Sequence, residues 1–340
     1  MKKALSFGNM PNGDPVEKYT IKNNNGMEAS IITLGCTLTS VIIPTPSGLV
    51  DVCLGYNNAS EYLQRHSSMG AVCGRFANRI ANGRFSLNNK TYQLAINNGP
   101  NHLHGGIIGY AYQIWNVSEY TESSVSFTKV SPDMEEGYPG KVNLKVTYAL
   151  DDQNTLSIRY EAEADQDTIL NLTNHSYWNL NGHDSGDAMN HLLQMPCSYF
   201  CPCDSNALVT GEIRSVTGTP FDFRSIHSIG STIDADEEQL KNGSGFDHCF
   251  LLDNSSPIIL EGNLTKIRME ITTDMPAVQL YSANHLHEQT GKNNAMYFPR
   301  NSVCLETEQV PDAPNNPQFP SCVLKAGERF SSTTSHKFIY

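Results

Sequence analysis

Positive charge is scarce in this chain. Lys and Arg number 23 against 35 Asp and Glu, a formal net charge of −12 over 340 residues. No basic patch stands out, which argues against nucleic acid and anionic membranes as partners. Long apolar runs are missing too. The longest stretch, ASIITLGCTLTSVIIP at 29–44, is too short and too rich in Thr and Ser to span a bilayer. The opening MKKALSFGNMPNGDP has two lysines but no apolar segment behind them, so no signal peptide is expected. Nine cysteines, an odd number scattered from Cys36 to Cys322, do not suit the disulfide framework of a short secreted domain. Free thiols and a cytoplasmic location are expected, Cys201 and Cys203 in CPC being the one close pair.

Helical patterns are few, and strand signals dominate. Residues 27–43, 125–130, 141–150 and 155–164 are rich in Val, Ile, Thr and Tyr, and several of these segments alternate. Between such segments stand turn dipeptides such as Asn25-Gly26, Asn82-Gly83, Asn98-Gly99 and Asn181-Gly182. DDQN at 151–154 reads as the loop of a hairpin. Short helices are expected only at 58–68, with Ser60 as a cap, and at 234–243, ending on Gly243. Many strands without βα alternation predict an antiparallel β-sandwich. No linker or composition break divides the chain, so residues 1–340 read as a single domain.

Three stretches carry candidate chemistry. In NLTNHSYWNLNG (171–182), strand alternation puts Asn171, Thr173, His175, Tyr177 and Asn179 on one face, with Leu172, Trp178 and Leu180 on the other. Residues 73–106 run from GRFANRI, where Asn78 and Arg79 are adjacent, to HLHGG. There His102 and His104 share a face, and Gly105-Gly106 allow close backbone approach. Two histidines at i, i+2 suit a metal, but no Cys or carboxylate at ligand spacing joins them, so no metal is expected. Taken singly, Arg79 reads as a surface ion pair and His104 as a structural imidazole. Their density with Asn and Gly suits a cleft that binds hydroxyls.

In SVCLETEQVPDAPNNPQFP (302–320) an apolar strand runs into Glu306 and Glu308, a place for a carboxylate of raised pKa. The two share a face, and spacing does not choose between them. GFDHCF (245–250) sets Asp247 between aromatics, and 275–286 places Gln279 and Tyr281 on one strand face. Aromatic rings beside amides or carboxylates suit sugar binding.

These motifs, with SPDMEEGYPG at 131–140, occur in the order seen in galactose mutarotases, the aldose 1-epimerases, and the chain resembles that family from about residue 5 onward. The resemblance implies a large antiparallel β-sandwich (the galactose mutarotase-like supersandwich) with a cleft for a free hexose such as galactose or glucose. It implies interconversion of α- and β-anomers without a cofactor. It assigns Glu306 as general base, which settles the choice against Glu308, and His175 as general acid. Asn78, Arg79, His104, Tyr177, Asp247 and Gln279 fall on positions resembling the family's sugar contacts. Phe76, Trp178 and Met134 depart from it, Met134 standing where Gly is usual. The partner expected is a small-molecule aldose, with no nucleic acid or membrane, acting on a monomer or homodimer. A hexose-phosphate epimerase, needing a basic cluster that only Arg75 and Arg79 suggest, and a non-catalytic carbohydrate-binding sandwich are the rival readings.

Overall fold

The computed structural model describes residues 4–65, 67–253 and 256–340. Strands dominate it, and every ladder between strands is antiparallel among the described residues. The largest sheet has nine strands. Its centre follows directly from the alternating segments: Ser124–Ser131, Val142–Leu150 and Thr155–Ala164 pair in sequence, and Thr155–Ala164 then pairs with the C-terminal strand Arg329–Ile339. In Val142–Leu150 the alternate residues Val142, Leu144, Val146, Tyr148 and Leu150 are buried, which fixes the register, because a slip of one would turn them to solvent.

Two five-stranded sheets flank it. The first is a meander from Leu5–Asn9 to Gly48–Asp51. Here the 27–43 stretch is two strands, Glu28–Ile32 and Thr37–Thr45, folded back where Cys36 takes φ +53°. The second sheet holds Asp247–Leu251, Ala277–Tyr281 and Cys304–Glu308 as neighbours. Their odd and even positions divide cleanly. Phe250, Val278, Leu280 and Leu305 point into the main core with Val146, Ile158, Trp178 and Leu180. Each such fully buried side chain contributes roughly 1.5–3 kcal/mol relative to exposure. The opposite face carries Asp247, Gln279, Glu306 and Glu308, and it is this face that the fold leaves to a cleft.

Both expected helices form, but with other caps. Ala59–Arg65 is capped by Asn58, whose Oδ1 accepts from the Glu61 N–H at 3.1 Å, while Glu61 reaches back to the Asn57 N–H at 2.9 Å. His66, inside the span expected to be helical, lies outside the described residues. Glu238–Gly243 is capped by the Glu237 carboxylate, and Ser244 rather than a glycine takes the left-handed position behind it. Met134 likewise sits at φ +62°, the conformation a glycine would adopt with about 1 kcal/mol less strain. All nine cysteines are buried and unbridged. No described helix is long and apolar enough to cross a membrane.

Candidate active site

Register builds the cleft floor. Gln279 lies opposite Glu306 on one side and Cys249 on the other, and Asp247 lies opposite Tyr281, which in turn faces Cys304. Directly opposite residues share a face, so Asp247, Gln279, Tyr281 and Glu306 form one polar row. The rest of the lining is carried by two short ladders and the residues next to them, Arg79–Ile80 paired with His102–Leu103 and Thr173–Asn174 paired with Val72–Cys73. Between them opens a cleft of about 350 Å³. All eight residues singled out in the sequence line it: Asn78, Arg79, His104, His175, Tyr177, Asp247, Gln279 and Glu306. Asn98, Tyr281 and, nearer the rim, Arg65, His285, His287 and Gln289 line it too.

His175 Nε2 and Glu306 Oε2 stand 3.7 Å apart, both side chains buried. The backbone of His175 is clamped, its N–H donating to Ala71 O at 2.9 Å and its carbonyl accepting from Gly70 at 2.7 Å. Its ring stacks on Tyr177 at 5.0 Å, and Tyr281 closes edge-on at 6.2 Å. His104 approaches edge-on at 5.3 Å. The Asn78 N–H donates to His104 Nδ1 at 3.1 Å, so the neutral ring carries its proton on Nε2. Gln279 Nε2 donates to Asp247 Oδ1 at 2.7 Å, leaving Gln279 Oε1 buried without a partner among the described residues. Arg79 Nε donates to Asn98 Oδ1 at 3.0 Å and its Nη1 lies 3.9 Å from Asp247. These are groups aimed at something polar.

The 171–182 segment is less regular than a strand. Only Thr173–Asn174 forms a ladder, with single bridges at Asn171 and Trp178. His175 and Tyr177 reach the cleft, but Asn179 turns to the backbone carbonyls of Gly186 and Asn301 and Asn171 lies beneath the floor. Leu172, Trp178 and Leu180 pack in the core as the alternation requires. His102 does not join His104. Its Nδ1 meets Ala95 O and its Nε2 the Tyr138 hydroxyl. Arg75 is not a phosphate ligand either, being buried with its guanidinium donating to the carbonyls of Pro132, Pro139 and Gly140.

Desolvation dominates the electrostatics. It pushes the Glu306 carboxyl well above its usual range, with the charges of Glu308 and Asp247 adding to the effect. It pushes His175 down to about 4, opposed by a backbone hydrogen bond and the Asp247 charge. His175, Cys304 and Glu306 bring donor atoms within 4.8 Å of one another. Burial pushes the Cys304 thiol well above its ordinary value.

Two predictions arise here. A Cβ on Gly105, at φ +83°, would sit 1.8 Å from Gly74 O. Gly105→Ala is therefore expected to cost about 2 kcal/mol or more and to displace His104, read as a lower urea midpoint and a lower kcat. The second concerns pH. Desolvation pushes the buried imidazoles of His175, His191, His248 and His336 down to about 4. Their stabilisation is present above about 6.5, the unfolded value, and is lost as pH falls through 4. The carboxyls of Glu306, pushed well above its ordinary value, and of Glu308, raised to about 8, act oppositely: they favour folding below about 4.5, and Glu308 loses this as pH rises through 8. Four imidazoles outweigh two carboxyls below pH 6.5, so Tm is expected to peak near pH 6.5 and fall on both sides. A Tm that stays flat from pH 7 to 4.5 would contradict it.

An antiparallel sandwich whose open cleft gathers amides, an arginine, carboxylates and stacked rings around one histidine–carboxylate pair defines a class of carbohydrate-handling β proteins. Comparison with known proteins narrows it. The family profile described as aldose 1-epimerase matches residues 17–337. A galactose mutarotase of Sus scrofa is 40% identical over 336 residues, spanning 96% of each chain, and an aldose 1-epimerase of Escherichia coli K12 is 36% identical over 341 residues, spanning 97% of each. Among solved structures, an aldose epimerase homologue from C. elegans superposes with a TM-score of 0.90 at 32% identity, covering 96% of this chain and 99% of its own. The chain belongs to the aldose 1-epimerase family, a family of carbohydrate epimerases.

Proposed function

We propose that the protein interconverts the α- and β-anomers of free hexoses such as D-galactose and D-glucose, the whole chain working as one β-sandwich domain. Ionised Glu306 takes the proton from the C1 hydroxyl while protonated His175 donates to the ring oxygen O5. The C1–O5 bond breaks, the C1–O1 bond becomes a carbonyl, and the open-chain aldehyde turns about C1–C2. Reclosure runs the same transfers backwards and delivers either anomer. His104 Nε2–H and Arg79 steady the oxygens as charge shifts, and Asp247, Gln279 and Asn78 hold the remaining hydroxyls. Tyr177 keeps the imidazole plane fixed by stacking.

The observation that carries this reading is the buried His175–Glu306 pair at 3.7 Å inside a polar cleft. The reaction needs one proton on that pair, so that one member accepts while the other donates. In the empty cleft, desolvation favours that proton on Glu306. Sugar hydroxyls donating to Glu306, with the Asp247 charge near His175, move it toward the imidazole and so to the reactive form. A binding module has no need of such a pair, and Arg75, one of the two arginines the hexose-phosphate reading called on, lies buried in the fold. Polarimetry on freshly dissolved α-D-galactose and α-D-glucose tests the reading. Acceleration over the spontaneous rate is expected with at least one sugar, and none with either would overturn it.

A further inference from the structure

The reaction as described leaves one buried carboxyl idle. Glu308 follows Glu306 by two residues, about 6.6 Å along the strand on the same face, yet it is fully buried below the cleft floor. Asn78 Nδ2 donates to its Oε1 at 2.9 Å and Asn171 Nδ2 to its Oε2 at 3.3 Å. Neither amide is free to turn round. Asn78 Oδ1 is taken by the Arg79 N–H at 2.9 Å, and Asn171 Oδ1 by the Gln309 N–H at 2.8 Å, with Asn171 Nδ2 also on Ala77 O. Both neighbours thus present N–H groups to position 308. Both amides call for an acceptor, and the two oxygens of a carboxyl group meet them; a glutamine would set a donor against a donor.

We propose that Glu308 is a positioning residue of the reaction. Its buried carboxylate, held between the Asn78 and Asn171 amides, keeps Glu306 a strong proton acceptor and, through Asn78, fixes the orientation of His104. The proposal rests on the reading of Glu306 as base. The negative charge at 308 disfavours a second one at 306, so Glu306 holds a proton more firmly than it would alone. The charged neighbours of the two are Asp247, which acts in the same direction, and Arg79, which opposes. From the surrounding strands and loops, Cys73, Cys249, Cys304, Tyr177 and Tyr281 are all pushed up and stay neutral. His104 and His175 are pushed down. Desolvation raises Glu308 as well, to about 8, while its two amide bonds lower it, so its charge is in play across the neutral range.

The test is the pH profile of Glu308→Gln. The alkaline limb of kcat/KM, which Glu306 sets because it holds the pair's proton in the free enzyme, is expected to move down by about half a pH unit or more, and kcat on the plateau to fall about 3–10-fold, with KM little changed because Glu308 does not line the cleft. A variant that loses activity with its alkaline limb unmoved would reduce Glu308 to a structural part and overturn the proposal. Should donor–donor contact prevent Glu308→Gln from folding, Glu308→Ala, which leaves room for water to accept from both amides, takes its place. In protein labelled with ¹³C at glutamate Cδ, the Glu306 titration midpoint is expected to fall by about half a pH unit in Glu308→Ala relative to the parent. An unchanged midpoint would overturn the proposal, whether or not the parent accelerates mutarotation; absence of that acceleration would sink the functional reading alone.

Discussion

Glu306→Gln is expected to lower kcat for galactose and glucose mutarotation by about 10²–10⁴-fold, the contribution typical of one positioned proton-transfer group. Glutamine has the same length and shape, and the ladder on either side of position 306 is made by backbone groups, so the strand Cys304–Glu308 stays in register with Ala277–Tyr281. What is lost is the ability to accept a proton. KM should change little, since the amide oxygen still receives a sugar hydroxyl. Stability gives an independent reading. Glu306 is fully buried and its carboxyl is held far above the usual range, so at pH 8 the fold bears the strain of an unwelcome charge. The amide removes it, and Glu306→Gln is expected to melt at or above the parent temperature at that pH. A variant less active but more stable is the signature of a catalytic group; kcat within threefold of the parent would remove Glu306 from the mechanism.

How much of this was legible beforehand varies with the element. The hairpin 142–164 could be read almost to the residue, because its alternation, its β-branched content and its DDQN loop all agree. The short pairs, such as Val72–Cys73 with Thr173–Asn174, carry no such period. They exist because tertiary packing brings distant backbone together, and two residues of sequence do not announce a ladder. The same cause broke the expected polar face of 171–179, where isolated bridges replace a continuous strand. Asn98 was hidden in an Asn-Gly turn signal, although its Oδ1 holds Arg79. Glu306 and Glu308 were correctly placed on one face, but what separates them physically comes from far along the chain. The amides that hold Glu308 belong to residues 230 and 137 positions away.

His175→Asn is the second large effect expected, again about 10²–10⁴-fold in kcat, and it differs from the first in what accompanies it. Asparagine can donate a hydrogen bond to O5 but cannot give up a proton there. It also removes a ring that is stacked on Tyr177 and bordered by His104 and Tyr281, leaving a gap worth about 1–2 kcal/mol of lost packing. At pH 7.5 the variant should therefore be less stable than the parent, unlike Glu306→Gln. Toward pH 5 the difference should narrow, because the parent's buried imidazole, pushed down to about 4, resists the proton that the unfolded chain takes up at about 6.5. The double variant discriminates best. If the two residues exchange one proton as a unit, combining the substitutions should cost scarcely more in kcat than either alone. Losses that multiply would mean independent contributions, and the single-proton pair would have to be abandoned even with both residues essential.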